Sequence, residues 1–272
     1  MTGCDDGVKP APRAHGGADR AAGLFFGTFL EHWPTSVAEL SIQQVGTPMD
    51  AEDALALLTL GGLGRDEWRR EFSEALGRWL GHALSRFPGG VFLRLGGRSF
   101  VHATRGPRPI RTVEEAFALL KDPGERVVRM AWRCRLSGKP LWLFARQWRE
   151  IAPSEEFRLF IRGRRLIGVS QYHHRLVFAE LSSRREELSG TIGGFAERLL
   201  PRIHLDDVVA DIVVRLRDPE PHVFLLELNP FMPVTGGALF AACSDDALDG
   251  TFRFRMEDGR IGSLPLTQGP SF

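Results

Sequence analysis

Two β-prone runs, VVADIVVRL (208–216) and VFLLELNPF (223–231), flank Asp218-Pro219-Glu220-Pro221 and constrain the fold more than any other feature. Proline cannot continue a central strand and favours turns, so the pair predicts an antiparallel hairpin. Asp211, Glu227 and Asn229 interrupt the apolar runs. Strand side chains alternate, so Glu227 and Asn229 share a face. If a five-residue loop spans Arg217 to Pro221, Asp211 falls opposite Glu227 and completes a patch of two carboxylates and an amide. Two readings fit such a patch. One is the solvated face of a half-exposed sheet. The other is a hard-oxygen ligand set for Mg²⁺ that also holds phosphate oxygens, because buried carboxylates need a partner or a metal.

Arginines stand in other apolar, β-prone segments: Arg94 in VFLRL (91–95), Arg146 in LWLFARQW (141–148) and Arg158 in EEFRLFI. Arginine stays charged and binds phosphate bidentately, so arginines converging on an acidic metal site make a cradle for a nucleoside triphosphate. Salt bridges to Glu150, Glu155 and Glu156, or a wet sheet face, explain any one of them equally. Of the 35 basic residues only Lys9, Lys121 and Lys139 are lysines, so phosphate binding here falls to arginine.

Elsewhere the chain alternates helical and strand patterns. AEDALALLTL (51–60) reads as a helix closed by Gly61-Gly62. Trp68, Phe72, Leu76, Trp79, Leu80, Ala83 and Phe87 recur at helical spacing, and Pro88-Gly89-Gly90 stops them. Thr112 and Glu115 form a capping-box pattern. VVRMAWRC (127–134) and LWLFARQW read as strands, and FRLFI and RLIGVSQY flank an Arg162-Gly163-Arg164 turn. Arg175 to Leu200 reads as helical, with Gly190, Gly193 and Gly194 as places where it divides. Residues 1–22, rich in Gly, Ala and Pro, read as a disordered tail without the apolar core of a signal peptide.

With 43% hydrophobic and 25% charged residues this is an ordinary globular composition. A net charge of +1 gives no pull toward nucleic acid or membrane, and no run approaches a bilayer span. Three scattered cysteines exclude a full disulfide framework, and there is no CxxC pair for zinc, which suits a reducing cytosol. The fold expected is α+β, with antiparallel strands and packed helices.

Three stretches together resemble the cell-division-cycle protein 123 family. WREIAPSEEFRLFIRGRRLIGVSQY (148–172) matches its EFR-x-F-V and LIGISQ blocks, and DIVV with VFLLELNPFMPVTGGALF matches its DIY strand and DFNPF…T…LLF turn. RREFSEALGRWLGHALSRFPGGVFLRLGGRS resembles its FPEL helix, LGG turn and KLNWS strand, so the likeness runs from about Trp68 to Phe240.

The resemblance implies an ATP-grasp variant: two lobes containing antiparallel sheets, 23–145 and 146–272, with the nucleotide held between them. It implies ATP and Mg²⁺ as cofactors, with Asp211, Glu227 and Asn229 as metal ligands. Arg158 becomes a triphosphate contact, Arg146 a nucleotide contact, and Arg94 stands where the family has a nucleotide-binding lysine. Gln147, Trp148, Arg149, Glu150 and Ile151 would form the hinge beside adenine. The chain departs from the family at Gly97-Arg98-Ser99-Phe100, in place of WSAP, and at Val213, in place of tyrosine. Two functions follow as expectations. The preferred one is an ADP-forming carboxylate ligase acting through an acyl phosphate, with Arg94 and Arg158 catalytic and an unidentified small molecule or protein as acceptor. The alternative is an ATP-binding assembly chaperone with little turnover, like the family's role in assembling a translation initiation factor.

Overall fold

The computed structural model describes residues 15–60, 71–100, 106–215 and 222–266. Two sheets organise them. The first has the order β1-β4-β2-β3, built from β1 (Gln44–Pro48), β2 (Val91–Leu95), β3 (Arg98–Ser99) and β4 (Trp142–Gln147), all antiparallel. The second has the order β10-β9-β6-β5-β7-β8. It is built from β5 (Glu156–Arg162), β6 (Arg165–Gln171), β7 (Val208–Arg215), β8 (His222–Pro230), β9 (Thr251–Arg255) and β10 (Ile261–Pro265). Only the β6–β9 pair in this sheet is parallel.

One face of each sheet is apolar and covered by helices. In the first, Val91, Leu93, Leu95, Leu143 and Ala145 point into a core with α3 (Ala51–Leu58), α4 (Glu74–Arg86), α5 (Val113–Lys121) and α6 (Glu125–Leu136). In the second, Leu159, Ala210 and Ile212 pack on Leu188, Ile192 and Phe195 of α8 (Arg185–Leu199). Antiparallel partners share a face, so the pairs Phe92↔Arg146 and Arg94↔Phe144 put both arginines on the face turned away from the first core. The pairs Arg158↔Asp211 and Asp211↔Glu227 place those residues together on the other face of the second sheet. Strand alternation thus keeps these buried cations and carboxylates off the helix-covered face of each sheet.

Several sequence expectations change. VVRMAWRC is not a strand: it lies in α6, where Val127, Val128, Ala131 and Cys134 are buried at helical spacing behind a Gly124 N-cap. Its β-branched residues misled because tertiary burial outweighs strand propensity. The helix through Phe72 starts later, at Glu74, since the Ser73 side chain accepts from the Leu76 N–H and caps it. Trp68 and Gly61-Gly62 lie outside the described residues. Gly190, Gly193 and Gly194 do not divide α8; the break falls at Arg184, between α7 (Ala179–Ser183) and α8. The Gly/Ala-rich start is helical from His15, in α1 (His15–Gly27), and positions 1–14 lie outside the described residues. Thr112 caps α5 as expected, and the Glu115 carboxylate reaches back to accept from the Arg111 N–H at 2.7 Å. The β5–β6 hairpin turns at Gly163 and Arg164, with φ of 53° and 58°, the pair of positive values a type I′ turn requires.

Candidate functional site

The polar faces of the two sheets meet where β8 bulges. The ladder with β7 closes at Arg215↔His222 and pairs Ile212 with Leu225, yet Asp211 with Glu227, so Leu226 is an extra residue in β8. The register predicted for Asp211 and Glu227 therefore holds, with the bulge absorbing one residue; the loop expected at 217–221 lies outside the described residues. The bulge supplies the link between sheets. Leu225 N–H donates to the Leu40 carbonyl at 2.7 Å, and Ser41 Oγ donates to the Leu225 carbonyl at 2.6 Å. Arg146 completes the joint, with Nη1 donating to the Leu226 carbonyl and Nη2 to Ser41 Oγ, both at 2.7 Å.

Beside this joint lie two ion pairs. Arg158 grips Asp211 with both Nε and Nη2, at 2.8 and 2.9 Å, and its Nη1 donates to the Gly236 carbonyl at 2.8 Å. The Asn229 amide donates to the same Asp211 carboxylate at 2.9 Å, and the Tyr172 ring lies 4.9 Å from the Arg158 guanidinium carbon. Arg94, only 2% exposed, donates Nη1 to Glu227 at 3.2 Å and Nε to the Leu95 carbonyl at 3.3 Å. Arg94, Arg146, Arg158, Asp211, Glu227 and Asn229, picked out along the sequence, are thus brought to one place from five strands.

Burial sets the electrostatics. It brings Arg146 down to about 9, with Arg94 adding repulsion and Glu227 opposing it. Burial also works against the Arg158 charge, but Asp211 outweighs it and holds Arg158 above its ordinary value. Burial pushes the Asp211 carboxyl up, while Arg158 pulls it back. Burial, then Asp211, raises the Tyr172 hydroxyl to about 12.

The segment Gln147 to Ile151 runs from β4 toward β5 and joins the two sheets covalently. Gln147 N–H donates to the Gln43 carbonyl and Trp148 N–H to the Gly90 carbonyl. Trp148 and Ile151 are half-buried, whereas Arg149 and Glu150 are exposed. Arg149 contacts Gln147, and the Glu150 carbonyl accepts from Arg215. Sequence reading missed Ser41, Tyr172 and the backbone carbonyls of Leu226 and Gly236. Tyr172, the chain's single tyrosine, stood at the end of the family-like LIGVSQY block. Ser41 carried no local signal.

The donors fit a hard divalent cation beside a polyphosphate. Asp211 and Glu227 lie opposite each other on β7 and β8, with Asn229 beside them donating its amide to Asp211, and the guanidiniums of Arg94 and Arg158, which pair with the two carboxylates, would turn to phosphate. Among the described residues no three His, Cys, Asp or Glu side chains converge as a metal site. A set of two carboxylates and an amide would leave the remaining positions of a Mg²⁺ ion to phosphate and water.

What the two sheets and their helices define is an α+β protein with the fold of Cdc123. The Cdc123 structure from Schizosaccharomyces pombe superposes with a TM-score of 0.68 at 18% identity, covering 84% of this chain and 92% of that one. The D123 family model matches residues 134–244. The translation initiation factor eIF2 assembly protein of Xenopus laevis is 34% identical over 99 residues, 36% of this chain and 28% of the relative. Cell division cycle protein 123 of Eremothecium gossypii is 31% identical over 114 residues, 40% of this chain and 31% of the relative. The matched stretches take in under a third of those relatives' length. The resemblance to the cell-division-cycle protein 123 family is borne out.

Proposed function

We propose that the junction of the two sheets binds Mg²⁺-ATP in the manner of an ATP-grasp protein, and that the protein is an ATP-dependent factor for assembling a protein complex. The observation that carries the binding reading is the joint convergence of Arg94–Glu227 and Arg158–Asp211, with Asn229, at the meeting of two sheets. Asp211, Glu227 and Asn229 would hold the metal, and Arg94 and Arg158 the phosphates. Arg146, with both terminal nitrogens engaged by Leu226 and Ser41, keeps the two sheets in register around the nucleotide. ATP, when bound, supplies binding energy and a transferable phosphoryl group. On this reading residues 23–145 and 146–272 are the two lobes and Gln147 to Ile151 the hinge beside adenine.

The assembly role has the names of the relatives in its support. The ligase reading has one observation in its favour: the Arg94 and Arg158 guanidiniums converge where charge on a transferred phosphoryl group would need neutralising. A cytosolic setting is supported by two buried free cysteines, Cys134 and Cys243, and no described helix is long and apolar enough to cross a membrane.

Calorimetric titration with ATP and Mg²⁺, with ADP followed in the same sample, tests both parts. Saturable binding without ADP supports the assembly factor. ADP release without a partner protein supports catalysis, and its stimulation by a carboxylate and an amine would support the ligase. No binding with both ligands present rejects the site.

A further inference from the structure

We propose that Tyr172 is a positioning residue of the phosphate site, whose ring keeps the Arg158 guanidinium in place when Asp211 leaves it for a bound metal. The inference rests on the Mg²⁺-ATP reading and adds to it the residue that follows β6.

A guanidinium carries its N–H groups in one rigid plane. In Arg158, Nε and Nη2 donate to Asp211 and Nη1 donates to the Gly236 carbonyl. The guanidinium carbon lies over the Tyr172 ring, 4.9 Å from its centroid. A ring face attracts the cation as a whole and needs no N–H aimed at an acceptor. The contact therefore does not compete with the hydrogen bonds made in the guanidinium plane. Tyr172 is 36% exposed, whereas the Arg158 side chain is 12% exposed. A ring that takes the exposure shields the cation beneath it from water, the setting in which this attraction is strongest.

On the Mg²⁺-ATP reading Asp211 turns to the metal, and two of these hydrogen bonds go with it. The Gly236 carbonyl and the Tyr172 ring then hold the guanidinium. A single hydrogen bond lets the group swing, and the ring restricts it to the place where Asp211 held it. A phosphate oxygen can take the carboxylate's position there without first ordering a long side chain.

The ring is itself supported. Tyr172 N–H donates to the Glu156 carbonyl at 2.9 Å, and the Tyr172 carbonyl accepts from His174 N–H at 2.8 Å. Buried Gln171 clamps the turn that follows: Nε2 donates to the His173 and Leu176 carbonyls at 2.9 and 2.8 Å, and Oε1 accepts from Arg255 N–H at 2.6 Å. Arg255 Nε donates to the His174 carbonyl at 2.8 Å. The His173 ring meets the Tyr172 ring edge to face, with centroids 5.2 Å apart, and its Nε2 lies 3.2 Å from Glu156 Oε1. Glu156 stands two residues before Arg158 on β5, so one strand carries both the cation and the prop of the ring that covers it.

The test has a binding arm and a spectroscopic arm, both on the full chain. In the first, Mg²⁺-ATP affinity is measured by calorimetry for wild type, Tyr172→Phe and Tyr172→Leu. Phenylalanine keeps the ring and should bind within about twofold of wild type, whereas leucine should bind roughly three- to thirty-fold more weakly. Equal affinity in Tyr172→Leu and wild type, or a loss as large in Tyr172→Phe as in Tyr172→Leu, overturns the proposal while leaving the nucleotide site standing. No binding by the wild type rejects the Mg²⁺-ATP reading and the proposal with it.

The second arm needs no variant. Tyr172 is the single tyrosine, so ring-labelled tyrosine gives one set of NMR signals. The ring protons should show a nuclear Overhauser contact with the Arg158 side chain both in ligand-free protein and with Mg²⁺-ATP. The Arg158 Nε–H signal should move as phosphate replaces Asp211. Loss of the ring contact on adding Mg²⁺-ATP, or its exchange for one to adenine, overturns the proposal, since the ring would then serve the base rather than Arg158.

Discussion

The Arg94 guanidinium on β2 and the Glu227 carboxylate on β8 stand 3.2 Å apart and tie the first sheet to the second, with side-chain exposures of 3% and 25%. Removing one partner of such a pair leaves a buried charge uncompensated, which costs far more than the pair contributes. Glu227→Ala should therefore destabilise the protein by roughly 3 kcal/mol in denaturant unfolding. Glu74→Ala should cost less than about 0.5 kcal/mol, since its partner Arg78 is 67% exposed. Equal losses in the two variants would mean that Arg94 finds another anion.

Asp211→Asn keeps the volume of Asp211 but removes the charge that Arg158 grips at 2.8 and 2.9 Å. Metal-dependent ATP binding should fall by at least about a hundredfold, as a ligand and a charge are lost together. Adding Asn229→Ala should abolish it, and circular dichroism should show the sheet retained. Normal ATP binding by the double variant would assign these residues to a structural ion pair alone.

Stability should depend on pH through Glu31. Burial keeps its carboxyl protonated up to about 7 in the folded state, against 4.5 ordinarily, so between those values the folded state binds more protons than the unfolded one. Its contribution is therefore full below about pH 4.5 and lost as pH rises through 7. Wild type should lose of order 2 kcal/mol between pH 4.5 and 8 from this group, allowing for its partial exposure. Glu31→Gln should flatten the curve, measured by denaturant unfolding at several pH values. A wild-type curve identical to that of the variant would place Glu31 in water.

Hairpins and acidic positions were legible in the sequence because strand alternation is local: Asp211, Glu227 and Asn229 stand out in apolar runs, and their register needed only a loop length. The β8 bulge at Leu226 was not legible, since it is fixed by Ser41 and Arg146 across the sheet junction. The strand expected at 127–134 failed where burial pattern and propensity disagreed: Val127, Ala131 and Cys134 follow a helical spacing that the β-branched residues obscured. The arginines were read for chemistry correctly as a group, yet the part played by Arg146 in joining the sheets depends on backbone carbonyls that no side-chain pattern reveals.

The α8 glycines give a test of that reading. A Cβ at Gly190 or Gly194 would meet nothing within 4 Å, and both positions are exposed in a continuous helix. Replacing each by Ala should stabilise the fold by about 0.5–1 kcal/mol, because the unfolded chain loses freedom and the helix gains propensity. Thermal unfolding of the double variant should show an upward shift; a downward one would mean that the glycine face is packed against something else.

Metal and nucleotide should bind synergistically, because each carboxylate of the site is already paired with a guanidinium. Asp211 and Glu227 are each matched by a guanidinium, Arg158 and Arg94. Mg²⁺ alone, taking the carboxylates, would leave two mostly buried guanidiniums without anions. ATP alone, taking the guanidiniums, would leave the carboxylates unmatched. Either imbalance opposes binding, whereas both ligands together exchange one set of ion pairs for another. ATP affinity in the presence of a chelator should therefore be at least tenfold weaker than with Mg²⁺, roughly 1.4 kcal/mol or more of coupling. The gap should shrink in Asp211→Asn, where the metal has less to gain. Equal affinity with and without metal would show that the two ion pairs stay closed and that the phosphates are held elsewhere.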